Sequence, residues 1–278
     1  MEIKISTLSE NTALHGYIAE YGLSLFIEAD GKRILFDTGL SFSAYHNARL
    51  MGIDLTGVDC IVLSHGHLDH TGGLAEILHR AGKETEVIAH PDVFTARYTI
   101  RDGQTQEKFI GMPFSKAELE NRGAVFKLSK EAVYITPNII TTGEIPMLAE
   151  YEGVECNLLV KEGEIYAPDR IADDLSLIIN TETGLVVITG CGHRGIVNIL
   201  SHARKLTGND SVYAVIGGIH LCRASEERIQ RTIAELKNLG VKKLGLCHCT
   251  GFHASAKIAE AFPKEFFLNN AGNMFVLA

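Results

Sequence analysis

The chain predicts an α/β fold in which two β-sheets pack face to face with helices on both outer faces, a four-layer αββα sandwich. Apolar runs of strand length recur in both halves, and amphipathic segments of helical period stand between them. No Gly/Ser/Pro-rich linker, short repeat or low-complexity tract divides the 278 residues, so one domain spanning 1–278 is the simplest organisation.

The elements follow in order. Met1-Glu2-Ile3-Lys4-Ile5 alternates like a strand. Residues 24–28 and 33–36 flank Ala29-Asp30-Gly31-Lys32, a hairpin turn signal. Asp37-Thr38-Gly39 ends the second of these strands, and 42–51 reads as a helix. Cys60-Ile61-Val62-Leu63 is a short buried strand, 74–81 an amphipathic helix, and 86–89 a return strand. The polar stretch 97–113 reads as an irregular insertion or lid. In the second half, 175–180 and 185–188 pair around Thr183-Gly184, followed by a helix at 196–206 and a strand at 212–216. Ser225 caps a helix reaching about residue 239, and 243–246 is a strand ending near His248.

Composition bounds the function. A formal charge of −8 argues against a general nucleic-acid binder, which carries a basic footprint. No apolar run reaches 18 residues, so no membrane-spanning helix is expected. The N-terminus lacks the charged and apolar regions of a signal peptide, and the six cysteines are scattered as reduced thiols would be. A cytoplasmic protein acting on a small molecule is the expectation, with the oligomeric state unspecified. Within Cys247-His248-Cys249, extended alternation would set His248 opposite both thiols.

Ser64-His65-Gly66-His67-Leu68-Asp69-His70-Thr71-Gly72-Gly73 carries the chemistry. Three histidines and an aspartate lie within six residues, directly after a buried strand, so rigid backbone would present them at a sheet rim. Neutral imidazole and carboxylate are the ligands borderline divalent metals prefer. Adjacent residues on a loop point different ways, so this run serves two ions more easily than one, and two ions can clamp an oxyanion between them. Zinc is the first expectation, with manganese or iron as alternatives.

The pattern H-x-H-x-D-H resembles the signature of the metallo-β-lactamase superfamily, and the resemblance implies the same four-layer fold. It places His65 and His67 at one metal, and Asp69 and His70 at a second. In that superfamily a later strand ends in a bridging Asp or a Cys, and the last strand ends in a histidine of the second site. His248 matches the latter. At the former position Thr189-Gly190-Cys191-Gly192-His193 has no Gly-Asp pair. Three completions stay open: His193 closes a tris-imidazole set with His65 and His67, Cys191 ligates as a thiolate, or Asp173 or Asp174 stands where many relatives place a third histidine. His220 ends another strand near the expected cleft and is a further ligand or substrate contact. Asp37 is a candidate to orient a ligand histidine by hydrogen bonding.

Further stretches extend the resemblance: Phe36-Asp37-Thr38-Gly39, Thr142-Gly143-Glu144-Ile145-Pro146, Thr189-Gly190-Cys191-Gly192-His193-Arg194-Gly195 and His248-Cys249-Thr250-Gly251. Together they are similar to the group that includes the archaeal dihydropterin synthases, over about residues 24–275. Two functions follow. The first is a metal-dependent hydrolase in which a metal-activated water attacks a phosphate or carboxyl ester or an amide, with Asp69 as acid/base as well as ligand. The alternative, implied by the closer resemblance, joins a pterin methylene to an aminobenzene ribofuranosyl phosphate with loss of pyrophosphate. For a phosphorylated or pterin-like substrate, the candidate cations are Arg97, Arg101, Lys108, Arg194 and Arg223.

Overall fold

The computed structural model describes residues 1–100, 107–163 and 165–278. Strands β1 (Ile3–Ser9), β2 (Ser24–Ala29) and β3 (Lys32–Phe36) run antiparallel, with Asp30 (φ 50°) and Gly31 (φ 70°) both left-handed in the tight turn between β2 and β3. Helix α1 (Ser43–Leu50) leads to β4 (Cys60–Val62), and the short α2 (Leu68–Thr71) and α3 (Leu74–Ala81) lead to β5 (Thr85–Ala89). Both strands lie parallel to β3. Next come β6 (Arg97–Thr99), β7 (Lys108–Phe109), α4 (Lys116–Glu120), β8 (Ala124–Leu128), β9 (Ile139–Thr141), β10 (Leu158–Glu162) and β11 (Ile165–Pro168). The second half holds β12 (Ser176–Thr181), β13 (Gly184–Thr189), α5 (Ile196–Thr207), β14 (Val212–Gly217), α6 (Glu226–Asn238) and β15 (Lys243–Leu246). It closes with α7 (Phe252–Ala261), β16 (Phe266–Leu268) and β17 (Met274–Leu277).

These strands form a seven-stranded sheet, β17-β1-β2-β3-β4-β5-β8, and a six-stranded sheet, β16-β15-β14-β13-β12-β9. Strand alternation explains how they pack. Ile34 and Phe36 of β3 join Val186 and Ile188 of β13 in one apolar layer between the sheets. The intervening Leu35 packs outward with Ala44, Ala48, Ile77 and Leu78 of α1 and α3. Leu185 and Val187 pack the other way, with residues of α5, α6 and α7. Three apolar layers between four structural layers make the expected αββα sandwich. Each fully buried Ile, Leu or Phe contributes about 1.5–3 kcal/mol, so the fold rests on these layers. No helix among the described residues is long and apolar enough to cross a membrane.

Two local expectations are overturned. The stretch 97–113 is not irregular throughout: β6 and β7 pair with each other and β6 with β10, in a four-stranded sheet ordered β11-β10-β6-β7. The partner strand begins about sixty residues later, a pairing that local pattern cannot reveal. Residues 101–106, Arg101 included, lie outside the described residues. Cys247-His248-Cys249 is not extended either. His248 adopts a left-handed φ of 53° and opens a short 3-10 turn, His248–Thr250, so the expected alternation of its side chains is lost.

Candidate metal centre

The strands deliver the chemistry at their ends. β3 leads to Asp37, β4 to Ser64 and His65, β13 to Cys191 and His193, β14 to His220, and β15 to His248. Asp37 (φ 58°), His220 (φ 44°) and His248 (φ 53°) are left-handed. Such conformations cost non-glycine residues energy and cluster where structure holds a functional geometry. Gly190 is required at the meeting point, because a Cβ there would lie 2.1 Å from Ser64 Oγ and 2.9 Å from Asp37 Oδ2.

Two groups of donors result. His65, His67 and His193 form the first, and Asp69, His70, Cys191 and His248 the second; within each, the donor atoms lie within 4.8 Å of one another. In the first, His65 Nε2 faces His67 Nδ1 at 2.9 Å, and the ring centroid of His193 is 5.0 Å from those of both. In the second, His70 Nε2 is 3.2 Å from both Cys191 Sγ and His248 Nε2, and Asp69 Oδ2 is 3.2 Å from His248 Nε2. Cys191 also groups with His193 and His220, which connects the two sets.

Surrounding groups fix which ring nitrogens face inward. Asp37 Oδ1 accepts from the Ser64 amide at 2.7 Å, and its Oδ2 accepts from Ser64 Oγ at 2.7 Å and from His70 Nδ1 at 2.7 Å. Ser64 Oγ in turn lies 2.9 Å from His65 Nδ1. With its own proton committed to Asp37, this hydroxyl accepts from His65. Asn11 Oδ1 accepts from His248 Nδ1 at 2.9 Å, and Glu10 Oε1 from the His248 amide at 2.7 Å. His65, His70 and His248 therefore turn Nε2 inward, the arrangement outer partners give to metal-binding imidazoles, and an ion at His70 takes the place of the Nε2 proton.

Electrostatics separates the two sets. Burial pushes His67 down to about 3 and carries His65 and His193 well below the ordinary histidine value, so these rings are neutral at pH 7. At His70, burial works against charge but the Asp37 and Asp69 carboxylates prevail and raise it to about 9. Asp69 is desolvated too, yet the neighbouring His70 and His248 hold its carboxyl well below the usual range.

The residues fit divalent ions. His67 Nε2 and both ring nitrogens of His193 are buried without a hydrogen-bond partner, a costly condition unless something binds there. A nitrogen, oxygen and sulfur donor set suits zinc.

The other predicted residues lie elsewhere. Asp173 accepts from the Gly66 amide at 2.8 Å and pairs with Arg97 at 2.6 Å, while Asp174 accepts from the Arg194 amide at 2.9 Å. Neither belongs to a donor group among the described residues. Arg97 is 1% exposed and bonds Asp169 as well, and Arg194 donates to the carbonyls of Ile145 and Arg170, so both are structural cations. Sequence reasoning missed Ser64, Glu10, Asn11, Asp169, Glu155 and Tyr21. Ser64 alone had a signal, as the residue that opens the histidine run.

A cavity of about 360 Å³ opens over these groups, within the range of small-molecule sites. His67, Asp69, Cys191, His193 and His220 line it, with Tyr21, Phe109, Ile110 and Leu158 as apolar walls and Lys108 and Arg223 among its cations. Lys108, Phe109 and Leu158 come from the four-stranded sheet, which thus forms part of the cavity wall.

Comparison with known proteins agrees with this geometry. The family model of the metallo-β-lactamase superfamily matches residues 18–203. Over 290 aligned positions the chain is 36% identical to the 7,8-dihydropterin-6-methyl-4-(β-D-ribofuranosyl)-aminobenzene-5′-phosphate synthase of Methanocaldococcus jannaschii, covering 98% of this chain and 96% of that one. The solved structure of Tm1679, described as a metal-dependent hydrolase of the β-lactamase superfamily, is 28% identical with a TM-score of 0.85, covering 98% of each chain. Zn²⁺-bound PqqB from Methylobacterium extorquens shares the fold alone, at 12% identity, a TM-score of 0.55 and 99% coverage of each chain. The chain belongs to the metallo-β-lactamase superfamily and is an enzyme.

Proposed function

We propose that the protein is a two-ion metalloenzyme that hydrolyses a phosphate or carboxyl ester, or an amide, of a small molecule. One observation carries this reading: two buried donor groups, linked through Cys191, open on a single cavity with cations in its wall. His65, His67 and His193 would hold one ion, and Asp69, His70, Cys191 and His248 the other, zinc being the best match to the donors. When bound, such a pair supplies Lewis acidity and brings the pKa of water to roughly 7.

The chain's own residues do the remainder. Of its group, Asp69 and Cys191 line the cavity, and the Asp69 side chain is 14% exposed against none for His70 and His248. Kept ionised, its carboxylate accepts a proton from water as general base. Lys108 and Arg223 bind the anionic part of a substrate, and Tyr21 and Phe109 provide flat apolar surface for an aromatic portion.

The whole-length identity to the synthase favours a second reading, transfer with loss of pyrophosphate at the same site. Zinc-loaded protein incubated with a panel of phosphate esters, carboxyl esters and amides, and separately with a dihydropterin pyrophosphate and an aminobenzene ribofuranosyl phosphate, separates the two. Hydrolysis that is lost on chelation and restored by zinc supports the first reading. Pyrophosphate release requiring both pterin partners, with no hydrolysis in the panel, supports the second and rejects the first.

A further inference from the structure

Outside the two inner groups, a third set of metal-type donors stands at the cavity wall. Glu155, His220 and Cys222 have donor atoms within 4.8 Å of one another. Glu155 Oε2 lies 3.6 Å from His220 Nε2, and Cys222 is exposed. His220 is held at a left-handed φ of 44°, and its buried ring nitrogens make no hydrogen bond of ordinary length, with Glu155 and Cys249 as their neighbours. Its ring centroid is only 4.0 Å from that of His193.

The donor sets overlap in sequence from outside to inside. His220 is shared between the outer set and the group Cys191, His193 and His220. His193 then belongs to the first inner group and Cys191 to the second. His65 and His70 are 0% exposed and His193 3%, so an ion reaching them must leave water. Shedding hydration without replacement ligands costs several kcal/mol, and a ligand-by-ligand exchange avoids that barrier.

We propose that Glu155, His220 and Cys222 form a third divalent-cation site at the cavity mouth, from which an ion passes inward through His220 to the inner groups. One carboxylate, one imidazole and one thiolate suit zinc or another thiophilic ion, and three protein donors leave a position for a ligand from the cavity. This inference rests on the proposed reading of the inner groups as ion sites.

The test is cadmium uptake by the metal-free full-length protein, followed in a stopped-flow instrument by the ultraviolet absorbance of cadmium–thiolate bonds. The wild type is expected to show a fast phase from Cys222 and a slower one from Cys191. Cys222→Ser should lose the fast phase, and Glu155→Gln should weaken it. In Cys222→Ser the slow phase should lag about tenfold, as an entry barrier raised by about 1.4 kcal/mol gives, with the same final cadmium content in the inner groups. Identical time courses for the wild type and Cys222→Ser overturn the proposal. Fewer than two inner ions at the end point, with a Cys222-dependent fast phase intact, counts against the two-ion reading and not against the mouth site.

Discussion

Asp37→Asn asks how far one buried carboxylate holds both donor groups. Asp37 lies at φ 58°, a left-handed conformation that Asn also tolerates, so the substitution removes charge without new backbone strain. The carboxylate accepts three bonds, each 2.7 Å: from the Ser64 amide, from Ser64 Oγ and from His70 Nδ1. Asn retains one oxygen for the Ser64 amide. Its NH₂ then faces the His70 Nδ1–H, whose contact is lost, and Ser64 Oγ, which keeps its contact only by turning its proton away and accepting. Losing such an outer partner costs about 10–100-fold in metal affinity, or roughly 1.4–2.7 kcal/mol. Because Asp37 reaches His70 directly and His65 through Ser64, both ions should weaken, whereas Ser64→Ala should weaken only the ion at His65.

The pH of the assay decides how much of that loss is visible. In the metal-free protein, burial opposes charge on His70, yet Asp37 and Asp69 raise it to about 9. At pH 7 an ion must therefore displace a proton in the wild type but less so in Asp37→Asn, which offsets part of the loss. Competition against a chromophoric chelator at pH 7 and at about pH 9.5, above the His70 value, should show a penalty that grows with pH. Affinities for both ions within about twofold of the wild type at the higher pH refute the reasoning, since they fall far below the scale of a lost outer partner.

Other outcomes test the frame of the site. Arg97→Met leaves Asp169 and Asp173 as buried charges without their cation, at contacts of 2.7 and 2.6 Å, and should cost about 3–5 kcal/mol in urea unfolding. A loss below about 1 kcal/mol would assign the pair the worth of a surface contact. Burial pushes Asp174 up to about 7. Its native form thus keeps a proton that the unfolded chain gives up near pH 4, so stability of the metal-free protein should fall as pH rises between those values, by about 4 kcal/mol in total. Asp174→Asn, which still accepts from the Arg194 amide, should flatten that slope, and an unchanged slope assigns it to another group.

The parts of the fold legible in the sequence are those with local causes. Ile34, Leu35 and Phe36 alternate between two apolar layers, and that alternation is written in consecutive residues. The run from His65 to His70 is equally local, and His193 and His248 follow apolar strands that announce a sheet rim. The third donor of the first group was not decidable in that way, because His193 and the Asp173–Asp174 pair both flank strands of the same sheet. The structure brings His193 to His65 and His67, and gives the aspartates to the Gly66 and Arg194 amides. Glu10 and Asn11 left no trace in local pattern, since they hold His248 from nearly the other end of the chain. The small sheet in the cavity wall was hidden for the same reason: β6 finds its partner only through the tertiary fold.

The most direct test of the two-ion centre is the zinc content of protein reconstituted with excess zinc and then freed of loosely held metal. The two inner donor groups lead to an expected content of about two ions per chain, falling to about one in His193→Ala and in His248→Ala. One ion or fewer in the wild type, or two retained in both variants, would contradict the assignment of those groups.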